Sequence, residues 1–248
     1  MPPGGGGRWR RPRRWWRRCA LAHDLVLGID ACSDWASVAL AGGGRLLAAE
    51  SLWAPRRHAE LLPLLVEEVL SRSSRSLLDL SAVSVTVGPG SFTGIKIGLA
   101  YARGLGLALG VELLGMGSLE AMAYPWAGAR GVAVLAALPA KPGLYYYGLL
   151  SPDRGRFLGP RCGGTTELME ALMSAEAPVE VVGEGIPDLS EVIPSLRPLG
   201  SRGWFPSTRA IAVAMAPFDD LGRTLLTGAE PRYVRLPDLT LVSGKGVS

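Results

Sequence analysis

The stretch over 84–115 constrains the fold most, because it places a strand, a glycine turn and an apolar helix directly after one another. A β-branched run over 83–87 predicts a buried strand. Gly-Pro-Gly at 88–90 ends that strand, since glycine adopts angles closed to other residues and proline donates no backbone hydrogen bond. Ser91 has the side-chain oxygen of a helix N-cap. The sequence therefore predicts a helix over 92–109.

Small residues recur along this helix at every fourth position. They form a ridge almost without side chains: Gly94, Gly98, Ala102, Gly106 and Gly110. An interior glycine costs roughly 0.5–1 kcal/mol relative to alanine, and close approach of a second helix is the usual compensation. We therefore expect the ridge to lie partly in a subunit interface, with burial in the chain's own core as the alternative. Arg103 and Glu112 leave fewer than the roughly 18 apolar residues of a membrane span, so no membrane association is expected.

The glycine turn also resembles a phosphate-binding loop. Its candidate residues are Gly88, Gly90 and Ser91. The spacing fits neither the P-loop, which needs Gly-Lys-Ser/Thr after four residues, nor the dinucleotide fingerprint. Free backbone N–H groups at the start of a helix still attract anions. A phosphate-binding turn and a purely structural turn both stay open.

The positive charge of the chain is concentrated at its beginning. Seven arginines precede the first acidic residue, Asp24: Arg8, Arg10, Arg11, Arg13, Arg14, Arg17 and Arg18. The remainder carries 19 basic and 22 acidic residues, so a broad basic face for RNA is not expected. Residues 1–24 have no periodicity and are predicted to be a disordered extension. A transit peptide, an RNA-binding tail and a start codon assigned too far upstream all fit; a mis-assigned start or a dispensable tail is favoured.

Cysteine and histidine are few and widely spaced. The three cysteines form no CxxC pair, which argues against a disulfide framework or a zinc site and suits a reducing cytoplasm. The two histidines are His23 and His58, so the chain lacks the H-E-x-x-H pair of metalloproteases. No metal site is predicted.

The segment GPGSFTGIKIGLAYARGLGLALGVELLGMGSLEAMA resembles the signature of the TsaB family. A helical pattern over 55–70 and a Tyr-x-Arg sequence before Pro-Asp within 229–238 are similar to TsaB as well. The resemblance covers about residues 25–238. It implies a duplicated actin-like (ASKHA, RNase H-like) α/β fold of two subdomains, 25–115 and 116–240, each a mixed β-sheet with flanking helices.

Two positions depart from the family pattern. Asp30 ends the first predicted strand, where actin-like ATPases place a carboxylate that faces a metal, but Ala31 and Cys32 replace the small hydroxyl residue that usually follows. Pro139-Ala140-Lys141 replaces the usual Asp-Ala-Arg between the next pair of strands. A turn or capping role is therefore favoured for Asp30, and both departures argue against nucleotide binding by this chain.

The resemblance implies a non-catalytic subunit that binds TsaD, the enzyme that transfers threonylcarbamoyl to N6 of the adenosine beside the tRNA anticodon. No catalytic residue is assigned. The resemblance places the partner interface on the first two helices, at His58, Leu61, Leu62, Leu65, Phe92, Gly94, Ile97, Gly98, Tyr101, Ala102, Leu105 and Gly106. The resemblance also implies ATP or ADP at the complex interface, a TsaE-like ATPase as second partner, indirect contact with tRNA and a homodimer when TsaD is missing.

Two other classes of function remain open. An ATPase or sugar kinase of the same fold needs carboxylates and hydroxyls around the phosphates, and the residues at 31, 32 and 139 argue against it. A glycoprotease-like hydrolase is the other class. Ser91 and Ser118 have no histidine near them in sequence, although catalytic triads assemble from distant segments.

Overall fold

A computed structural model of the chain describes residues 23–126, 131–152, 156–175, 178–183 and 206–234. The predicted extension lies outside the described residues except for its last two positions. Most of the proline-containing segment 187–206 lies outside them too. The described residues form a six-stranded and a four-stranded mixed sheet with helices packed against both.

The six-stranded sheet has the order β10-β5-β4-β1-β2-β3. Its strands and the helices between them are β1 (Leu25–Asp30), β2 (Trp35–Gly42), β3 (Arg45–Trp53), α1 (His58–Arg72), β4 (Ala82–Thr86), α2 (Phe92–Leu109), β5 (Glu112–Met116) and β10 (Leu226–Thr227). β1, β4 and β5 are parallel, and the β1–β2–β3 pairs are antiparallel. The parallel strands are almost continuously apolar, as expected for strands covered on both faces.

The four-stranded sheet has the order β8-β7-β6-β9. This half contains α3 (Ser118–Ala123), β6 (Ala133–Lys141), β7 (Leu144–Leu150), β8 (Phe157–Gly163), α4 (Thr165–Met173), β9 (Val179–Gly183), α5 (Thr208–Met215) and α6 (Asp220–Leu225). Three antiparallel strands, a helix and a strand parallel to the first occur in both halves of the chain. The repeated order agrees with the predicted duplication.

α5 packs on the face of the six-stranded sheet opposite α1 and α2. Ala210 and Ala214 form a buried cluster with Ala39 and Ala41, while other residues of α5 pack with α3. A Cβ at Gly28 would lie 2.2 Å from the carbonyl oxygen of Ala210, which is closer than any real contact. Gly28 therefore allows the backbone of α5 to rest directly on β1.

The structure contains two strands, β5 and β8, that the sequence did not predict. The segment 229–238, which resembles the terminal strand of TsaB, contains no strand over 229–234. Its remainder lies outside the described residues. The boundary predicted between 115 and 116 stays a prediction, but α5 contacts elements on both sides of it.

No helix among the described residues is long and apolar enough to cross a lipid bilayer. α2, the most apolar of the longer helices, has 18 residues.

We predict that Gly28→Ala lowers the free energy of unfolding by about 1–3 kcal/mol, because the new methyl group must push α5 away from β1. Gly104→Ala is the matched control: a Cβ there meets nothing within 4 Å, and alanine favours the helix by about 0.5–1 kcal/mol. Urea unfolding of both variants tests the pair. A Gly28→Ala protein as stable as wild type would contradict the proposed contact.

Candidate functional site

The carboxyl ends of β1 and β4 form the edge where parallel sheets usually bind ligands. Asp30 ends β1 and is completely buried. Its carboxylate accepts hydrogen bonds from the Thr86 hydroxyl at 2.6 Å and from the Cys32 backbone N–H at 3.3 Å. The second bond is the turn contact predicted for Asp30 from the sequence.

Arg209, in the first turn of α5, completes this buried group. Its Nε donates to the second carboxylate oxygen of Asp30 at 2.9 Å, and its Nη2 donates to the Ser33 hydroxyl at 2.7 Å. Both side chains of the ion pair are 0 % exposed. A charge without a partner at this depth would be strongly destabilising, so each ion makes the burial of the other tolerable.

Cys32 belongs to the same group and has no features of a nucleophile. Burial raises the pKa of its thiol to about 12, with the negative charge of Asp30 as a further cause. Its Sγ donates to the Thr86 hydroxyl at 3.1 Å. A reactive cysteine needs a lowered pKa and solvent access, and Cys32 has neither.

The fold implies a nucleotide and a metal at this edge, and the residues present do not fit them. The carboxylate that would face a metal is already occupied by Arg209 and Thr86. Among the described residues, no three His, Cys, Asp or Glu side chains are placed to hold a metal ion. Pro139, where the family carries an aspartate, brings no replacement carboxylate.

The glycine turn at 88–90 is filled by the chain itself. A Cβ at Gly88 would lie 2.7 Å from the carbonyl oxygen of Arg232, and one at Gly90 would lie 2.2 Å from that of Cys32. Ser91 caps α2 as predicted, since its hydroxyl accepts from the Gly94 N–H at 3.2 Å. Close backbone packing therefore accounts for both glycines without a phosphate.

The segment over 228–234 lies across this turn. The Arg232 N–H donates to the Val87 carbonyl at 2.7 Å, and its guanidinium donates to Glu120 at 2.5 Å. Burial raises the pKa of Glu120, and the charge of Arg232 opposes that rise. Arg103 of α2 holds the segment at a second point through the Ala229 carbonyl. The two arginines fix the segment over the start and middle of α2.

The two serines considered for hydrolysis are engaged in backbone contacts. The Ser118 hydroxyl donates to the Pro89 carbonyl, while Ser91 serves as the helix cap. The Nε2 of His58 donates to the Ser33 carbonyl at 2.9 Å. In the described part of the chain, neither serine bonds a histidine, so no serine triad is assembled there.

The predicted interface residues of α1 lie inside the subunit. His58, Leu61, Leu62 and Leu65 are each less than 10 % exposed, and the three leucines belong to the main core. The outward side of this helix is mixed: it carries the charged Glu60, Glu67, Glu68 and Arg72 beside uncharged residues such as Leu64, which is 54 % exposed.

The small-residue ridge of α2 lies against the chain's own sheet and the loop after β1. Gly94, Gly98, Ala102 and Gly106 are buried. A Cβ at Gly94 would meet the Ala31 carbonyl oxygen at 2.0 Å. The ridge is therefore buried in the chain's own core, the alternative given for it, because strands and a loop of the same chain supply the close contact. Its part in a subunit interface stays a prediction.

A stripe of α2 beside the ridge is apolar and at least partly accessible. We define the outer face of α2 as the half-buried Ile97, Tyr101 and Leu105 with the exposed Ala100, Gly104 and Ala108. These residues share one stripe of the helix. Of the predicted interface set, Phe92, Ile97, Tyr101 and Leu105 are partly accessible. Their role in binding a partner stays a prediction.

A separate cavity of about 650 Å³ lies beside α5 and α6. Its lining is mainly apolar: Tyr124, Pro125, Ile211, Ala212, Met215, Asp219, Asp220, Leu221 and Thr224. The Tyr124 hydroxyl bonds the Asp219 carboxylate. Burial, followed by that bond, raises the pKa of Tyr124. A tyrosine whose pKa is raised stays protonated at neutral pH, so Tyr124 is not available there as a general base.

Sequence reasoning missed Arg209 and Arg232. Arg209 carried a signal, since it is the one charged residue in the otherwise apolar segment Thr208–Met215. It also stands in the first turn, where the helix dipole disfavours a cation. A cation in such a place indicates a buried anion as its partner.

The comparisons with known proteins confirm the resemblance to TsaB. The model of the family described as TsaD, tRNA N6-adenosine threonylcarbamoyltransferase, matches residues 52–148. The chain is 37% identical to the tRNA threonylcarbamoyladenosine biosynthesis protein TsaB of Escherichia coli (strain K12) over 123 residues, which are 49% of this chain and 53% of that protein. It is 31% identical to TsaB of Buchnera aphidicola over 126 residues, 50% of this chain and 60% of that protein. The chain therefore spans little more than half the length of these relatives.

Solved structures confirm the actin-like fold class. YeaZ from Pseudomonas aeruginosa has a TM-score of 0.65 at 24% identity, covering 85% of this chain and 99% of that one. EutJ from Carboxydothermus hydrogenoformans has a TM-score of 0.51 at 13% identity, covering 79% of this chain and 90% of that one. At these identities the likeness concerns the fold alone.

We predict that Cys32 resists alkylation in the folded protein at pH 8, because its thiol is buried and its pKa lies near 12. Cys162, which is partly accessible, is the internal control. Peptide mapping after iodoacetamide treatment, with and without denaturant, measures both. Rapid labelling of folded Cys32 would contradict its placement.

The raised pKa of Cys32 also predicts that stability is retained up to about pH 9 and falls above it, since the unfolded thiol ionises first.

Proposed function

We infer that the chain is a TsaB-type accessory subunit for the threonylcarbamoylation of tRNA adenosine. The observation that carries this inference is the similarity to TsaB of Escherichia coli over 123 residues. The match of the TsaD family model to 52–148 supports a link to the same modification. The substrate of the assembled complex is tRNA, and the cytoplasm is where such a complex would act.

The accessory role is supported by the chemistry of the strand ends. A transferase or kinase of this fold needs a carboxylate free to hold a metal, whereas Asp30 is buried against Arg209. A hydrolase needs an activated nucleophile, whereas Cys32 has a raised pKa and both candidate serines bond the backbone. The catalytic groups would therefore come from a TsaD-type partner.

The partner would contact the outer face of α2. This stripe combines large apolar side chains with Ala100, Gly104 and Ala108, so a second helix could approach closely. A Cβ added at Gly104 would meet no atom of the described chain within 4 Å, which leaves room for a partner. We therefore place the contact with TsaD on the outer face of α2 rather than on the buried ridge.

A reconstitution tests the function. Purified alone, the chain is expected neither to modify tRNA nor to hydrolyse ATP. Adding it to a TsaD-type protein, a TsaE-type ATPase and a supply of threonylcarbamoyl-adenylate is expected to switch modification on, measured by mass spectrometry of tRNA nucleosides. Modification that proceeds equally without the chain would contradict the inference, and modification by the chain alone would favour an enzyme.

Two substitutions on opposite sides of α2 test the partner face. Gly104→Arg is expected to leave the melting temperature within about 2 °C of wild type, because a side chain there is unobstructed, but to abolish co-elution with the TsaD-type protein. Gly98→Leu is the matched control on the buried side, where an added Cβ would lie 3.2 Å from the Cβ of Ala31. It is expected to destabilise the isolated subunit by about 1–3 kcal/mol.

The pair distinguishes the two sides of the helix directly. If Gly104→Arg binds the partner as well as wild type does, the outer face is not the interface. If Gly98→Leu keeps its stability and loses the partner, the ridge rather than the outer face binds TsaD. Circular dichroism melts beside gel filtration with the partner measure both quantities.

A further inference from the structure

The carboxyl edge of the six-stranded sheet has a cation of its own. The Asp30 carboxylate accepts hydrogen bonds from the Nε of Arg209 at 2.9 Å, from the Thr86 hydroxyl and from the Cys32 backbone N–H. In actin-like ATPases a carboxylate at this place faces a metal ion. Here its negative charge is already balanced inside the protein.

The position of Arg209 is hard to explain by local preference. The first turn of a helix carries the positive end of its dipole, which disfavours a cation. The side chain is also 0 % exposed, so it gains nothing from water. The negative charge of Asp30, which the guanidinium contacts directly, offsets both costs.

Backbone contacts among the described residues fill much of the space around the ion pair. Gly28 brings the backbone of α5 onto β1, and the loop after β1 lies against the glycine turn at 88–90. The Ser91 N–H, at the start of α2, donates to the Cys32 carbonyl at 2.8 Å. A backbone donor that could meet an anion there is therefore used within the chain.

We propose that Arg209 is a built-in cation that takes the place of a metal and its nucleotide at this edge and locks α5 to β1. The chain then holds no nucleotide in its own cleft, and its two halves are fixed without a ligand. Any ATP or ADP in an assembled complex would be held by other groups. This inference does not depend on the proposed partner.

Nucleotide titration of the full chain is the first test. MgADP and MgATP at up to about 1 mM are expected to give no calorimetric binding signal and to move the melting temperature by less than about 1 °C, since a ligand stabilises only a folded state that binds it. Binding at one site per chain that Asp30→Asn abolishes would overturn the proposal.

Variants of the ion pair are the second test. Arg209→Met leaves a buried carboxylate alone and is expected to lower the melting temperature by about 6 °C or more. The double variant Asp30→Asn with Arg209→Met removes both charges and is expected to recover at least half of that fall. Arg57→Met, in the exposed pair with Glu60, is the control and should change the melting temperature by less than about 2 °C. A double variant no more stable than Arg209→Met would overturn the lock.

Magnesium distinguishes a replaced metal from ordinary structural support. Removing the side chain in Arg209→Ala leaves oxygen atoms of Asp30 and Ser33 beside the vacated space, and Mg²⁺ prefers oxygen ligands. At about 10 mM, MgCl2 is expected to raise the melting temperature of this variant by about 3 °C or more above NaCl of equal ionic strength, and wild type by less than about 1 °C. An equal response of both proteins would overturn the metal replacement. If Arg209→Ala does not fold, Arg209→Lys is compared with wild type instead. Because this variant retains a cation, it should show no magnesium response, and a response would overturn the metal replacement.

Discussion

The arrangement of the two halves depends on one buried ion pair, between Asp30 at the end of β1 and Arg209 at the start of α5. Buried pairs add little net stability, because both ions lose their hydration. Their consequence is specificity instead, since any displacement of α5 would separate two charges in a medium that cannot screen them. The small residues of α5 allow contact with β1 at Gly28, and the ion pair selects the register of that contact.

Local patterns predicted most of the elements, and long-range contacts explain the exceptions. α2 was predicted with its observed bounds because cap, glycine stop and apolar pattern agree within one segment. β5 and β8 were missed because neither has an alternating or β-branched pattern strong enough to be recognised alone. β5 pairs with β4 and β10, and β8 pairs with β7. Such strands are stabilised by neighbours that sequence periodicity does not reveal.

The candidate site shows the same division. The turn role of Asp30 and the cap role of Ser91 follow from residues within three positions and were predicted correctly. The partner of Asp30 lies 179 residues away, so no local pattern identifies it. The small-residue ridge was correctly recognised as a close contact, but the neighbour in the structure is the chain's own sheet and loop, which was the less favoured alternative. Glycine spacing indicates that a neighbour packs closely against the helix. Only the fold shows whether that neighbour is a strand, a loop or another protein.

A closed strand edge and an open helix face suit an accessory subunit. An enzyme of this fold would keep the carboxyl edge accessible and move its halves around a ligand, which requires groups without fixed partners. Here the Asp30 carboxylate, the Cys32 thiol and the Ser91 backbone are satisfied within the chain. The same packing that closes the edge draws the glycine ridge of α2 inward and leaves Ile97, Tyr101 and Leu105 partly accessible at the border of the main core. A rigid subunit then presents a preformed apolar stripe, so a partner would bind it without the entropic cost of ordering it first.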